Sequence, residues 1–494
     1  MSLPKSLFPC GRVQRRDFLF DLGRGLGGIA LGAMMSREGV LPAAESSTST
    51  TAVPAAFAQL APRAKSVIWL FMLGGTSHVE SFDPKPSLNQ YAGLTFAETP
   101  YNDAIIKSPF YRKNVRDFAG TLRDLMPKVY PLQVGYRPRG ESGIEVSDWW
   151  PHVGSCVDDI AVVRSMWTTD NDHAAQLQFH TGRHIFDGFF PSIGSWIHYG
   201  LGSLNDNLPQ FVVLGTGPAE CCGGGGAHGA SYLGPEHAGV KLSVDLRQPL
   251  PFGTPSTPVF ADERRAQLDL LRDLNGLAGG GYPADAELRA RIKAYELAFR
   301  MQMSVPGTMD ITGETKHTLA SYGLDHPTTE PYGRMCLTAR RLVERGVRFV
   351  QVYHNANWDA HSKLKDNHTK NCAMVDQPIA ALLKDLKQRG LLDETLVVWG
   401  SEFGRTPGAE RSDGRDHHPY GFSVWLAGGG IKRGVVHGAT DELGFHAVEQ
   451  RHYITDLHAT VLHQLGLDPR RLDVPGQAKR LEIDYGTPIR EIIA

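Results

Sequence analysis

Six runs in this 494-residue chain are short, almost wholly apolar and separated by long stretches of other character: residues 66–73, 160–166, 211–214, 347–352, 395–399 and 422–426. A run of that length with no polar alternation suits a strand buried on both faces, as in the interior of a parallel sheet. Helical periodicity runs through residues 286–303, 334–345, 374–389 and 454–465, and the last two stretches end at Gly390 and Gly466, residues suited to a helix C-terminus. Strands alternating with helices predict an α/β fold, a three-layer sandwich with a mostly parallel sheet between helices.

In such sheets ligands bind beyond the carboxyl ends of the strands. Four of the predicted strands run into loops rich in possible ligands. The first leads to Gly74, Gly75, His78 and Asp83, and the second to Asp170, Asp172 and His173. The fourth leads to His354, Asp359 and His361; the fifth leads to Glu402 and Arg405, followed by Asp416, His417 and His418. Each cluster alone has an ordinary explanation. Asp359 and His361 can cap a loop, residues 416–418 can form a solvated turn, and Glu402 can simply pair with Arg405. Four of them at one sheet edge predict a metal centre, and the mixture of imidazole and carboxylate suits zinc, manganese, calcium or magnesium.

The charge pattern narrows the partners. A formal net charge of -2 leaves no basic field for nucleic acid. Arg15-Arg16-Asp17-Phe18-Leu19 is a twin-arginine core, followed by a weakly apolar, glycine-rich run interrupted by Arg24, which is a poor membrane span. Residues 1–44 are therefore expected to be an export signal read by the twin-arginine machinery, and residues 45–62, rich in Ser, Thr, Ala and Pro, a flexible linker. The expected location is periplasmic or extracellular, with no stable span in the mature protein. The folded domain is expected over 63–494, with insertions near 84–150 and 216–285. Gly23-x-Gly25-x-x-Gly28 matches a dinucleotide fingerprint, but it lies inside the leader with no strand before it. Cys221-Cys222, in a glycine-rich stretch, could hold a soft metal only with outside ligands.

Several longer runs resemble one known family. Residues 71–78 (FMLGGTSH) with 82–86 (FDPKP), residues 339–347 (ARRLVERGV), Trp358-Asp359-Ala360-His361, residues 401–407 (SEFGRTP), residues 414–421 (GRDHHPYG) and Asp456-Leu457-His458-Ala459-Thr460 are similar to the exported "domain of unknown function 1501" family, a sulfatase-like branch of the alkaline phosphatase/sulfatase superfamily. The match covers nearly the whole chain after the linker. It implies an alkaline phosphatase-like sheet between helices with one or two divalent metals at the strand ends. The ligands so implied are Asp359, His361, Glu402, Asp416 and His417. Relatives carry an Asp at the end of the first strand, where this chain has Gly74-Gly75, so His78 or Asp83 would have to substitute. Arg405 could grip an anionic oxygen. No Cys-x-Pro-x-Arg motif is present, which argues against a formylglycine sulfatase. The nucleophile is then Asp172, a nearby hydroxyl such as Thr168 or Thr169, or a metal-activated water with His173 as base. The expected activity is hydrolysis of a sulfate or phosphate ester, on a small molecule or a polysaccharide. The alternative is a non-catalytic carbohydrate- or anion-binding protein that keeps the fold.

Overall fold

The structure, a computed structural model, describes residues 60–103, 128–245, 260–281, 301, 304–354, 357–410, 413–472, 474 and 486–494. The expected export signal, all but the end of the linker, and nearly all of the helix expected at 286–303 lie outside these residues. The chain divides into two units, Met1–Thr51 with Val259–Arg289 and Ala52–Pro258 with Ala290–Ala494. Of the first, the helix Ala261–Gly281 is described. The second carries the sheet and everything that follows.

Its strands are β1 (Ser66–Met72), β2 (Tyr136–Arg139), β3 (Ile144–Ser147), β4 (Ile160–Trp167), β5 (Phe211–Leu214), β6 (Val240–Leu242), β7 (Phe349–His354), β8 (Thr395–Gly400), β9 (Gly404–Arg405), β10 (His417–His418), β11 (Phe422–Ala427), β12 (Val435–His437), β13 (Ala439–Thr440), β14 (Ala447–Glu449) and β15 (His452–Tyr453). The main sheet runs β12-β4-β11-β8-β1-β7-β5-β6, with β15 also paired to β4. β1 is parallel to β7 and β8, and β5 is parallel to β6 and β7. β11 alone among the described strands of this sheet runs the other way, antiparallel to β8 and β4.

All six expected strands are present, and β1, β5, β7, β8 and β11 are buried along their whole length. The pleat sends alternate residues to opposite faces. Ile68, Leu70 and Met72 meet the helices Glu330–Glu344 and Leu364–Gln388 through Met335, Leu342, Val375 and Leu382. Val67, Trp69 and Phe71 meet the helices Ala175–Thr181, Ile193–Leu201 and Ile454–Gln464 through Phe179, Trp196, Leu457 and Val461. The α/β sandwich with a mostly parallel sheet is thus observed. Gly390 and Gly466 both take positive φ, +69° and +83°, as expected of helix ends.

The helix expected at 374–389 begins ten residues earlier, at Leu364. Its first turns bury Leu364, His368, Asn371 and Cys372, a helical spacing that hydropathy overlooks because two of these residues are polar. The inward imidazole has a purpose: His368 Nε2 accepts the Ser77 N–H at 3.0 Å, anchoring the loop after β1.

Four histidines buried in this way make the fold acid-sensitive. Burial lowers His180, His354 and His368 to about 3 and His458 to about 4. His354 Nδ1 accepts from Trp358 Nε1 at 2.8 Å, a bond that protonation of that nitrogen destroys. Because the folded pKa values are depressed, the unfolded chain takes up protons below about pH 6.5 while the folded chain does not. The stabilisation is full above that pH and is lost as pH falls toward 3–4, by about 1.4 kcal/mol per pH unit for each proton. A thermal midpoint measured in chelator is expected to fall steadily between pH 6 and 4; a flat midpoint over that range would contradict the assignment.

Candidate metal centre

Because β1, β4, β7 and β8 point the same way, the loops that follow them meet at one edge. The loop after β1 turns at Gly74 and Gly75, with φ of +113° and +85°. A Cβ at Gly74 would lie 2.6 Å from the Asp359 nitrogen and 2.6 Å from Asn357 Oδ1. The glycine is what lets the loop after β7 close over β1, where Trp358 N–H donates to Leu73 O at 2.9 Å. Both carboxylate oxygens of Glu402, just beyond β8, accept the Gly74 N–H, at 2.9 and 3.1 Å. Ser401 Oγ accepts from Gly75 N at 3.0 Å and donates to Met72 O at 2.6 Å. The loops after β1, β7 and β8 are thereby fastened together around buried polar groups.

Asp359 stands at the middle. Its Oδ1 lies 2.9 Å from His361 Nε2, 3.1 Å from His417 Nε2 and 2.8 Å from Arg405 Nη2, and its Oδ2 lies 3.2 Å from His173 Nε2. The Nε2 atoms of His361 and His417 face each other at 3.0 Å. The outer nitrogens are each held from behind. His173 Nδ1 sits 3.1 Å from Glu402 Oε1, His417 Nδ1 sits 2.8 Å from the Asn171 carbonyl, and His361 Nδ1 is bonded to Glu410. Two overlapping groups could each hold an ion: His173, Asp359 and His417, and His361, Asp416 and His417.

The electrostatics follow from these contacts. Burial opposes ionisation of Asp359, but His173, His361, His417 and Arg405 outweigh it and hold the carboxyl well below the usual range. Burial also disfavours a charged His173, yet Asp359 and Glu402 raise it to about 9. Burial drives His417 down to about 3 against the pull of Asp359, so its imidazole is neutral and available as a ligand near pH 7. His361 is raised, because Asp359 and Glu410 overcome its burial.

The centre therefore gathers His173, Asp359, His361, Asp416 and His417, with Glu402 behind His173 and Arg405 behind Asp359. His78 and Asp83 are not brought in. His78 Nε2 is bonded to Gly444 O at 2.8 Å, and Asp83 is enclosed by Lys85 at 3.0 Å, Arg164 at 3.6 Å and Thr440. His173, from the loop after β4, reaches Asp359 instead. Arg405 does not reach out to an anion: its side chain is fully buried and donates to Gly75 O at 2.8 Å, Arg415 O at 3.1 Å, Gly74 O and Asp359. It positions Asp359. Glu402 likewise positions, since its oxygens are occupied by Gly74 N, His173 and Gln176 Nε2 at 2.9 Å. Asp172 Oδ1 accepts the His173 main-chain N–H at 2.7 Å.

Sequence reasoning missed Glu410 and the Asn171 carbonyl. No motif marks Glu410, which is bonded to His361 and paired with Gly414, its N–H donating to Gly414 O at 2.9 Å. Outer partners of ligand histidines typically matter 10- to 100-fold for metal affinity. Glu410→Gln is expected to weaken metal binding by about that factor while the fold is kept, as equilibrium dialysis would show; unchanged affinity would remove Glu410 from the centre.

A protein-family profile described as "Protein of unknown function (DUF1501)" matches residues 64–493. The chain belongs to this family. No match was found among curated proteins. Among solved structures, this DUF1501 protein is similar to an alkaline phosphatase from the Antarctic bacterium TAB5, at 12% identity and TM-score 0.32 over 83% of this chain and 100% of that one. It is also similar to the lipoteichoic acid synthase LtaP from Listeria monocytogenes, at 7% identity and TM-score 0.37 over 86% of this chain and 78% of that one. A third is the phosphonate monoester hydrolase SpPMH from Silicibacter pomeroyi, at 12% identity and TM-score 0.34 over 69% of this chain and 71% of that one. Likenesses of this size are faint, and the chemistry rests on the side chains themselves.

Proposed function

We propose that this protein is an exported, metal-dependent hydrolase of a sulfate or phosphate ester, acting at the centre around Asp359. One observation carries the reading: His173, His361 and His417 each have Nδ1 held from outside and Nε2 turned on the same carboxylate. Outer oxygens that fix the tautomer and aim the other nitrogen inward are how proteins prepare imidazoles for a cation. The donor set fits a divalent ion, with zinc or manganese favoured over calcium or magnesium by the number of imidazoles. Such an ion, when bound, polarises an ester oxygen and acidifies water.

The chain's own residues do the rest. His417 and Asp416 form the buried floor, each with a side chain 3% exposed, while His173, Asp359 and His361 are 20–22% exposed and leave one side open to substrate. Arg405 keeps Asp359 ionised and oriented. Water is favoured as nucleophile because the nearby alternatives are engaged. Thr168 Oγ1 donates to Gln178 Oε1 at 2.6 Å, Thr169 Oγ1 accepts from Gln178 Nε2 at 2.7 Å, and Asp172 bonds its own neighbour. Residues 15–19 support export by the twin-arginine route, to the periplasm or the outside. Among the described residues no helix is long and apolar enough to cross a membrane.

The test is metal analysis of purified protein joined to turnover of aryl phosphate and aryl sulfate esters. At least one firmly held ion per chain, and turnover abolished by chelator, are expected. Protein that stays metal-free in mixed divalent ions overturns the reading. Bound metal without turnover of either ester favours a non-catalytic binder of anions or carbohydrate. Lys-Lys in place of Arg15-Arg16 is expected to keep the protein in the cytoplasm.

A further inference from the structure

A second group of ligand-type side chains lies on the far strands of the sheet, away from Asp359. β12 and β15 both pair in parallel with β4, His437 opposite Val163 and His452 opposite Met166. Their side chains turn toward each other, with the two Nε2 atoms 2.8 Å apart. Glu491, in the short helix Arg490–Ile492, completes a group whose ligand atoms all lie within 4.8 Å of one another.

We propose that His437, His452 and Glu491 form a second cation site, selective for zinc-like ions, that ties the sheet edge to the C-terminal segment. His452 Nδ1 is 3.1 Å from Asp456 Oδ2. A carboxylate only accepts, so the ring proton sits on Nδ1 and the Nε2 lone pair faces His437. Asp456 is itself fixed, in the first turn of Ile454–Gln464 and by the Thr487 N–H at 2.8 Å. This is the carboxylate–histidine–metal arrangement that orients a ligand. A lone hydrogen bond from His437 to His452 explains the pair but makes no use of Glu491; a cation engages all three. Glu491 and Asp456 together offset the two charges of the ion. Lys432, bonded to the Glu491 carbonyl at 2.8 Å, is the nearby opposing charge. Two imidazoles and one carboxylate leave a fourth position for water and prefer zinc, cobalt, nickel or copper to magnesium or calcium.

The test uses the full chain, stripped with chelator and dialysed against zinc, with His361→Ala/His417→Ala to silence the centre around Asp359. One zinc per chain is expected to remain in that double variant, to resist excess magnesium, and to raise the thermal midpoint. Adding His452→Ala should remove it. Glu491→Gln, on an exposed residue, should weaken the binding at least about tenfold. It also carries the test should His452→Ala fail to fold. Equal zinc stoichiometry and affinity with and without Glu491→Gln and His452→Ala would overturn the site. Because the readout is metal at His452 and not ester turnover, failure here is distinct from failure of the hydrolase reading.

Discussion

Asp359→Asn protein is expected to fold, to lose its firmly held metal and to turn over aryl esters at least about a hundredfold more slowly than wild type. The lower bound comes from outer partners of ligands, whose loss already costs 10- to 100-fold, whereas Asp359 stands among the ligand atoms themselves. Its two oxygens meet three imidazole nitrogens at 2.9, 3.1 and 3.2 Å, so the amide that replaces them removes the negative charge at the point where the histidines converge. Asn is chosen because it preserves shape. Its amide oxygen can still accept from the fully buried Arg405, whereas Asp359→Ala would leave that guanidinium with neither a charge nor an acceptor there. Circular dichroism and metal content measured together separate the two effects. An Asn variant that keeps both its metal and its turnover would remove Asp359 from the centre.

Arg415→Ala is expected to lower stability by about 3–5 kcal/mol, the usual penalty for breaking a buried ion pair by deleting one partner. Arg415 and Glu80 are both fully buried and meet at 2.6 Å. The guanidinium also donates to the carbonyls of Thr406, Pro407, Tyr130 and Pro131 at 2.9–3.1 Å. Deleting it strands one buried carboxylate and releases four carbonyls, those of Thr406 and Pro407 buried and those of Tyr130 and Pro131 half-buried. It also frees the stretch that carries Asp416 and His417, so metal affinity should fall with stability. Chemical denaturation of Arg415→Ala, Glu80→Gln and the double variant provides the check. The double variant is expected to be more stable than Arg415→Ala, because neutralising Glu80 removes the stranded charge. Loss of less than about 1 kcal/mol in Arg415→Ala would show that the pair does not hold the loops.

Much of this architecture is legible in the amino-acid sequence. The strands were readable because strands buried on both faces have no polar alternation to obscure them, and β5 and β11 match their apolar runs to within a residue. That Asp359, His361, Asp416 and His417 come together was readable because loops after parallel strands must emerge at one edge. The start of the helix Leu364–Gln388 was not readable, because its inward face carries His368 and Asn371 where periodicity looks for apolar side chains. His78 and Asp83 were misplaced for a related reason. Proximity in sequence to the end of β1 brings a residue to the right edge of the sheet, but side-chain direction depends on the turn, and both are consumed by partners from residues 440 and 444.

The amino-acid sequence by itself therefore determined the α/β class, the edge where the chemistry gathers and most of the residue types that gather there, since these follow from hydrophobic pattern and strand direction. Tertiary structure alone decided which side chains converge on Asp359 and which stand behind. Arg405 and Glu402 have the composition of site residues, yet their donors and acceptors are spent on the backbone of Gly74 and Gly75 and on neighbouring side chains. Glu410, Asn171 and the trio His437, His452 and Glu491 become neighbours only when distant loops close. Hydrogen-bond saturation is a property of the folded interior, where each buried polar group must find a partner, and no spacing along the chain records which partner it finds.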